Sequence, residues 1–188
     1  MKQKLVLIGA STGGPGHLKK LFQNLDIGSA SVVIAQHMSL MFIPSFITQF
    51  DKECNADVLK LEGKTQLKNK IYICEKNSEI LPTQPLSAAV CAKGKETTYN
   101  PNVNLLFESA VQACKFCDVM AILLTGIGDD GAKGLNELYK AGATCIAESE
   151  ASAIVYGMPK RAKEINSNLR SLSISEIRAE LERFVSVF

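Results

Sequence analysis

The sequence predicts an α/β fold: a three-layer, doubly wound, mostly parallel sheet with an antiparallel edge. Three observations predict it. Apolar runs such as Leu5-Val6-Leu7-Ile8 and Val32-Val33-Ile34-Ala35 are nearly continuous, the pattern of strands buried on both faces. They alternate with segments whose apolar residues recur at helical spacing. Residues 56–98 depart from this rhythm, with more alternation and with prolines at 82 and 85.

The elements follow in order. Residues 5–8 form a first strand that runs into Gly9-Ala10-Ser11-Thr12-Gly13-Gly14-Pro15, and Leu18, Leu21, Phe22 and Leu25 continue at helical spacing. Residues 31–37 give a second buried strand ending in Gln36-His37. Beyond Met38, apolar residues recur at helical intervals as far as Phe50, around Pro44, which suits a first turn. In the middle region 70–74 and 86–90 are the strand candidates, with turns at Glu62-Gly63-Lys64 and Lys93-Gly94-Lys95. Short strands, some antiparallel, are expected there at the edge of the sheet.

Residues 101–116 carry an apolar helical face of Val103, Leu106, Phe107, Ala110, Val111 and Cys114. Residues 119–125 are a third buried strand, opening into Gly126-Ile127-Gly128-Asp129-Asp130-Gly131 and a helix over 132–140. A strand at 144–147, a short segment at 156–163, a brief strand near Leu172 and a helix from Ser175 with an N-cap complete the order. No repeat, low-complexity tract or linker divides the chain, so residues 1–188 are expected to form one domain.

Composition narrows the function classes. A formal net charge of +2, with scattered Lys and Arg, argues against a nucleic-acid partner. Lys19-Lys20 and the group Lys160, Arg161, Lys163 read as solvated surface. No run approaches the ~20 apolar residues of a membrane span and no signal peptide is evident. A cytoplasmic protein without membrane insertion is expected, its six cysteines reduced. Cys114 and Cys117 have metal-like spacing, but no second pair accompanies them and the chain has two histidines. Packing is the expected role, and neither a metal nor a cofactor is expected.

The chemistry is expected at the carboxyl ends of the strands, where open parallel sheets place their sites. Gly9, Ser11 and Gly13 form a Gly-x-Ser-x-Gly nucleophile-elbow pattern. A side chain at either glycine would crowd the turn, and the serine hydroxyl must stand clear. Gly and Ser suit any strand-to-helix turn, so the match alone does not single out catalysis. What adds weight is joint placement: Ser11 follows the first strand, His37 the second, and Asp129-Asp130 the strand at 119–125. A serine hydroxyl needs a neighbouring imidazole to take its proton, and the imidazole needs a carboxylate to fix its tautomer. His37 is the candidate base and Asp130 the orienting acid. His17, on the helix after the elbow, is the weaker candidate. Backbone N–H groups at Thr12 and in the Gly126-Ile127-Gly128 turn are candidates for an oxyanion hole. The chain order Ser, His, Asp differs from the Ser, Asp, His of α/β-hydrolases.

At these residues the sequence resembles the catalytic domain of the chemotaxis protein-glutamate methylesterases, the CheB family. The resemblance runs nearly end to end. It rests on residues 8–15, Gln36-His37-Met38, residues 105–110, residues 124–132 and residues 150–159. It implies hydrolysis of glutamate methyl esters on methyl-accepting chemoreceptor cytoplasmic domains, often with deamidation of receptor glutamines. It places the triad on Ser11, His37 and Asp130, with Ile127 where the family's oxyanion turn usually has Met. Glu75-Lys76-Asn77 replaces a usual Pro-Gly-Gly turn, and Asn100 and Asn104 replace a usual Arg and Asp; these changes bear on substrate fit. Members typically carry an N-terminal receiver domain. This chain starts at the esterase's first strand, so control by a receiver in the same chain is expected to be absent.

Two other readings compete. A nucleotide-binding oxidoreductase would use the first glycine turn and the Tyr156/Lys160 pair. The second strand, however, ends in Gln36-His37 rather than an acid for the ribose, and Pro159 disfavours helical geometry at Met158. A receptor-binding module without catalysis predicts a degraded triad, whereas all three residues are present.

Overall fold

Residues Gln3–Ala10 form β1, the middle strand of a seven-stranded sheet, and the other elements are layered around it. The structure, a computed structural model, describes residues 2–92 and 97–186; the turn expected at Lys93-Gly94-Lys95 lies outside them. In chain order β1 is followed by α1 (Gly14–Phe22), β2 (Ser31–Gln36), α2 (Ile43–Glu53), β3 (Val58–Lys60) and β4 (Lys64–Gln66). Then come β5 (Ile71–Ile73), β6 (Ser78–Leu81), β7 (Ser87–Val90), α3 (Val103–Ser109) and β8 (Cys117–Leu123). The chain closes with α4 (Ala132–Lys140), β9 (Thr144–Glu148), α5 (Met158–Ile165), β10 (Arg170–Leu172) and α6 (Ile174–Ser186).

The main sheet has the order β10-β9-β8-β1-β2-β5-β3, with every neighbouring pair parallel. The chain leaves β1 toward β2 and later returns to β8 on the other side. The carboxyl end of β1 therefore lies at the topological switch point. Strands β4, β7 and β6 form a separate three-stranded antiparallel sheet. The antiparallel strands expected at the edge are thus a small sheet of their own, while β3 and β5 join the main one.

Period-two alternation splits the core into two layers. Leu5 and Leu7 of β1, Val33 and Ala35 of β2, and Val119, Ala121 and Leu123 of β8 face α3, α4, α5 and the small sheet. Val6, Ile8, Val32, Ile34, Met120 and Ile122 face α1, α2 and α6. Each fully buried Leu, Ile or Val contributes about 1.5–3 kcal/mol, which explains why these strands read as unbroken apolar runs.

Among the boundaries that differ from the sequence reading, two have a cause in side-chain hydrogen bonds. The helix predicted over 101–116 ends at Ser109 and continues as a 3-10 turn, Val111–Lys115. Ser109 supplies a physical reason: its hydroxyl donates to the Leu106 carbonyl at 2.7 Å and accepts the Ile80 amide at 2.8 Å, tying the helix end to β6. The last helix begins at Ile174, one residue early, because Ser173 and Glu176 form a reciprocal capping box. All six cysteines are free thiols, and Cys117 packs in the core as the first residue of β8. Among the described residues no helix is long and apolar enough to cross a membrane, and no group of three or more His, Cys, Asp or Glu could hold a metal ion.

Candidate active site

Ser11 is the residue immediately beyond β1. Its amide donates to the Thr125 carbonyl at 2.9 Å, and its own carbonyl accepts the Gly14 amide at 2.8 Å. The turn between them passes through Gly13, whose φ of 85° is left-handed and caps α1. A Cβ at Gly13 would stand 2.6 Å from Ile154 Cγ1, so both backbone and space demand glycine there. The nucleophile-elbow spacing read from the sequence has this local cause.

His37 follows β2, the strand beside β1. Its amide donates to the Ala10 carbonyl at 2.9 Å. The buried Gln36 side chain joins the two loops, donating through Nε2 to the carbonyls of Ser11 and His37, both at 2.9 Å. Parallel pairing of Ala10 with Gln36 thus puts residues 11 and 37 on one rim.

Asp130 reaches the same rim from the loop after β8. Its carboxylate is 1% exposed, whereas Asp129 beside it is exposed. Asp130 Oδ2 lies 2.7 Å from His37 Nε2 and also accepts the Val103 amide at 2.8 Å; Oδ1 accepts the Asn104 amide at 2.9 Å. A carboxylate only accepts, so Nε2 carries a proton, which in the neutral ring leaves the lone pair on Nδ1. The first two residues of α3 supply the amides, so the acid is oriented by the start of a helix. Gly9 admits this arrangement: a Cβ there would overlap Val103 Cγ1 and come within 3.1 Å of Leu123 Cδ1, pushing the start of α3 off β1.

The structure therefore brings His37 and Asp130 into contact and sets Ser11 on the adjoining strand end. Among the described residues the Ser11 hydroxyl makes no hydrogen bond to the imidazole. Such bonds commonly tighten only around bound substrate. The amides of Thr12 and Ile127 likewise have no hydrogen-bond partner among the described residues, and both residues are exposed. Below Ile127 the turn is fixed, since the Gly126 amide donates to the Val155 carbonyl at 3.0 Å and the Gly126 carbonyl accepts the Met158 amide at 2.9 Å.

His17 is buried on α1, with Nδ1 3.0 Å from Glu148 Oε1 at the end of β9. Glu148 Oε2 also accepts the Thr125 amide at 2.8 Å, and Thr125 Oγ1 donates to the Thr12 carbonyl at 2.9 Å. This pair braces the elbow from beneath. Tyr156 precedes α5 and Lys160 is exposed on it, with Pro159 in the first helical turn. The two do not share a helix as a Tyr-x-x-x-Lys pair requires.

Sequence reasoning missed Tyr99. Its ring stacks on the His37 imidazole, with centroids 4.8 Å apart and planes 2° from parallel. Asparagines hold the segment around it. Asn77 donates its amide to Asn100 Oδ1 and accepts the Asn102 amide at Oδ1, both at 2.8 Å. Asn104 Oδ1 accepts the Gly134 amide at 2.9 Å. The clustering of Asn at 77, 100, 102 and 104 was the visible signal; a contact between residues 62 positions apart was not.

A model of the CheB methylesterase family matches residues 6–181. Among curated proteins, a protein-glutamate methylesterase/protein-glutamine glutaminase of Rhodospirillum rubrum is 33% identical over 186 residues, covering 96% of this chain and 51% of that protein. The protein of that name from Salmonella typhimurium is 32% identical, covering 95% and 52%. The chain spans about half the length of these curated relatives. The crystal structure of the Thermotoga maritima CheB methylesterase catalytic domain superposes with a TM-score of 0.88 at 28% identity, covering 97% of this chain and 99% of that one. Fold, motif order and end-to-end similarity agree: this chain belongs to the CheB methylesterase family.

Proposed function

We propose that the chain is a serine hydrolase that removes methyl groups from glutamate methyl esters on the cytoplasmic domains of chemoreceptors, and deamidates receptor glutamines at the same site. The observation that carries this reading is the buried Asp130 carboxylate held 2.7 Å from His37 Nε2, one strand away from an elbow serine. Membership in a family whose relatives bear the methylesterase/glutaminase name supports it.

Ser11 Oγ attacks the ester carbonyl while His37 Nδ1 takes its proton. Asp130 holds the imidazolium that forms. Negative charge on the carbonyl oxygen is met by the amides of Thr12 and Ile127, each such donor contributing about 3 kcal/mol. Collapse of the tetrahedral species breaks the bond to the methoxy group, which leaves as methanol with the proton from His37. Water, activated by His37 in the same way, then frees glutamate from Ser11. With glutamine the leaving group is ammonia. No step calls for a metal or cofactor. Action on chemoreceptor cytoplasmic domains supports a cytoplasmic location.

Purified protein incubated with methylated and with glutamine-bearing receptor fragments is expected to release methanol from the first and ammonia from the second. No methanol from any methylated receptor fragment would overturn the reading.

A further inference from the structure

We infer that Tyr99 is a positioning residue for His37: its ring fixes the plane of the base and favours the imidazolium formed when Ser11 gives up its proton. The inference rests on the hydrolase reading above. Three observations carry it.

The first is the stack itself, 4.8 Å between centroids and 2° between planes. The imidazole is held at one edge by Asp130, and rotation of a histidine ring about its second side-chain torsion is soft. A parallel aromatic face removes that freedom without using either ring nitrogen. Nδ1 is left available to Ser11.

The second is where the tyrosine is anchored. The Tyr99 hydroxyl lies against Gly128, at the end of the turn that carries the Ile127 amide, so that a Cβ on Gly128 would overlap it. One side chain thus touches both the base and the turn that faces the oxyanion. The third is that its backbone is pinned from both sides. The Thr97 hydroxyl donates to the Tyr99 carbonyl and accepts from Asn77 Nδ2, and Asn100 and Asn102 bond to Asn77 as well. A merely exposed aromatic would not need this bracing.

The chemistry follows from charge. An aromatic face is negative, and a cation held over it is stabilised. A neutral imidazole that accepts the Ser11 proton becomes cationic, so the stack lowers the energy of the charge-separated state more than that of the ground state. The effect belongs in kcat rather than in substrate binding.

The test compares Tyr99→Leu and Tyr99→Gln, which remove the ring, with Tyr99→Phe, which keeps it. Methanol release from a methylated receptor fragment is followed, together with the rate at which diisopropyl fluorophosphate labels Ser11. Loss of the ring is expected to lower kcat about tenfold with KM changed less than about twofold, and to slow Ser11 labelling in proportion. Tyr99→Phe is expected to restore kcat to within about threefold of wild type. In proton NMR the His37 ring protons, shielded by the stacked phenol, are expected to move downfield in the Leu and Gln variants and not in Phe. A ring-less variant with unchanged kcat, a loss confined to KM, or a Phe variant as impaired as Leu would overturn the inference while leaving the hydrolase reading intact. A wild-type protein that neither turns over receptor nor is labelled at Ser11 sinks that reading, and this inference with it.

Discussion

Asp130 Oδ2 accepts two hydrogen bonds at once, from His37 Nε2 at 2.7 Å and from the Val103 amide at 2.8 Å. The acid is therefore set by a helix start as well as by the histidine it serves. The two helix amides orient the carboxylate, and the carboxylate orients the imidazole in turn.

Asp130→Asn tests this relationship. The amide keeps one acceptor oxygen and turns the other position into a donor. It must then face either the Val103 and His37 donors or the Asn104 amide with an N–H. Methanol release is expected to fall about 10³- to 10⁴-fold, the size of loss seen when a triad acid is made an amide. Full turnover in this variant would remove Asp130 from the mechanism.

Gly9→Ala tests how the start of α3 is placed. A methyl at this position meets Val103, which must move away from β1 and take its amide off Asp130. Overpacking of this kind costs about 1–3 kcal/mol, read as a lower urea midpoint. Turnover is expected to fall along with stability, and unchanged turnover would show that Asp130 does not depend on the helix.

Much of this was legible in the sequence, for reasons that can be named. The strands β1, β2 and β8 are covered on both faces, so their apolar runs are unbroken and their ends are marked by the residues that follow. Ser11, His37 and Asp130 could each be assigned to one rim because a parallel sheet puts every carboxyl end there. What could not be read was the side-chain wiring between distant segments. The Asn77, Asn100 and Asn102 bonds and the Tyr99 stack depend on loop geometry, which leaves no period in the sequence. The end of α3 falls short of its apolar pattern, which continues at helical spacing past Ser109, because a hydroxyl bond to β6 closes the helix.

Glu148→Ala is expected to destabilise the fold more than any change on the rim. It leaves buried His17 and the Thr125 amide without their partner, at a cost of about 1–3 kcal/mol for each buried polar group left unsatisfied. Glu148→Gln keeps an acceptor for Thr125 and should lose less. Urea unfolding of the two variants checks the ordering, and equal midpoints would contradict the bracing role.

Buried thiols predict an alkaline limit to stability. Burial pushes Cys74 and Cys145 up to about 12 in the folded protein, against about 8.5 for a free thiol. The unfolded chain loses these protons first, so between roughly pH 9 and 12 it binds fewer protons than the folded one, and stability falls as pH rises. Below that window the contribution is fully present. Cys145→Ala should flatten the decline measured by urea unfolding from pH 8 to 11. At pH 8 both thiols should react with a disulfide reagent only on unfolding, and rapid labelling of the native protein would contradict their burial.

The proposed chemistry turns on Ser11 as the nucleophile. Its most direct measurement is methanol release from a methylated receptor fragment by Ser11→Ala beside wild type, with the urea midpoint of each recorded. A fall of about 10⁴-fold or more is expected, with the midpoint unchanged. Turnover by a folded Ser11→Ala protein at a rate near that of wild type would contradict it.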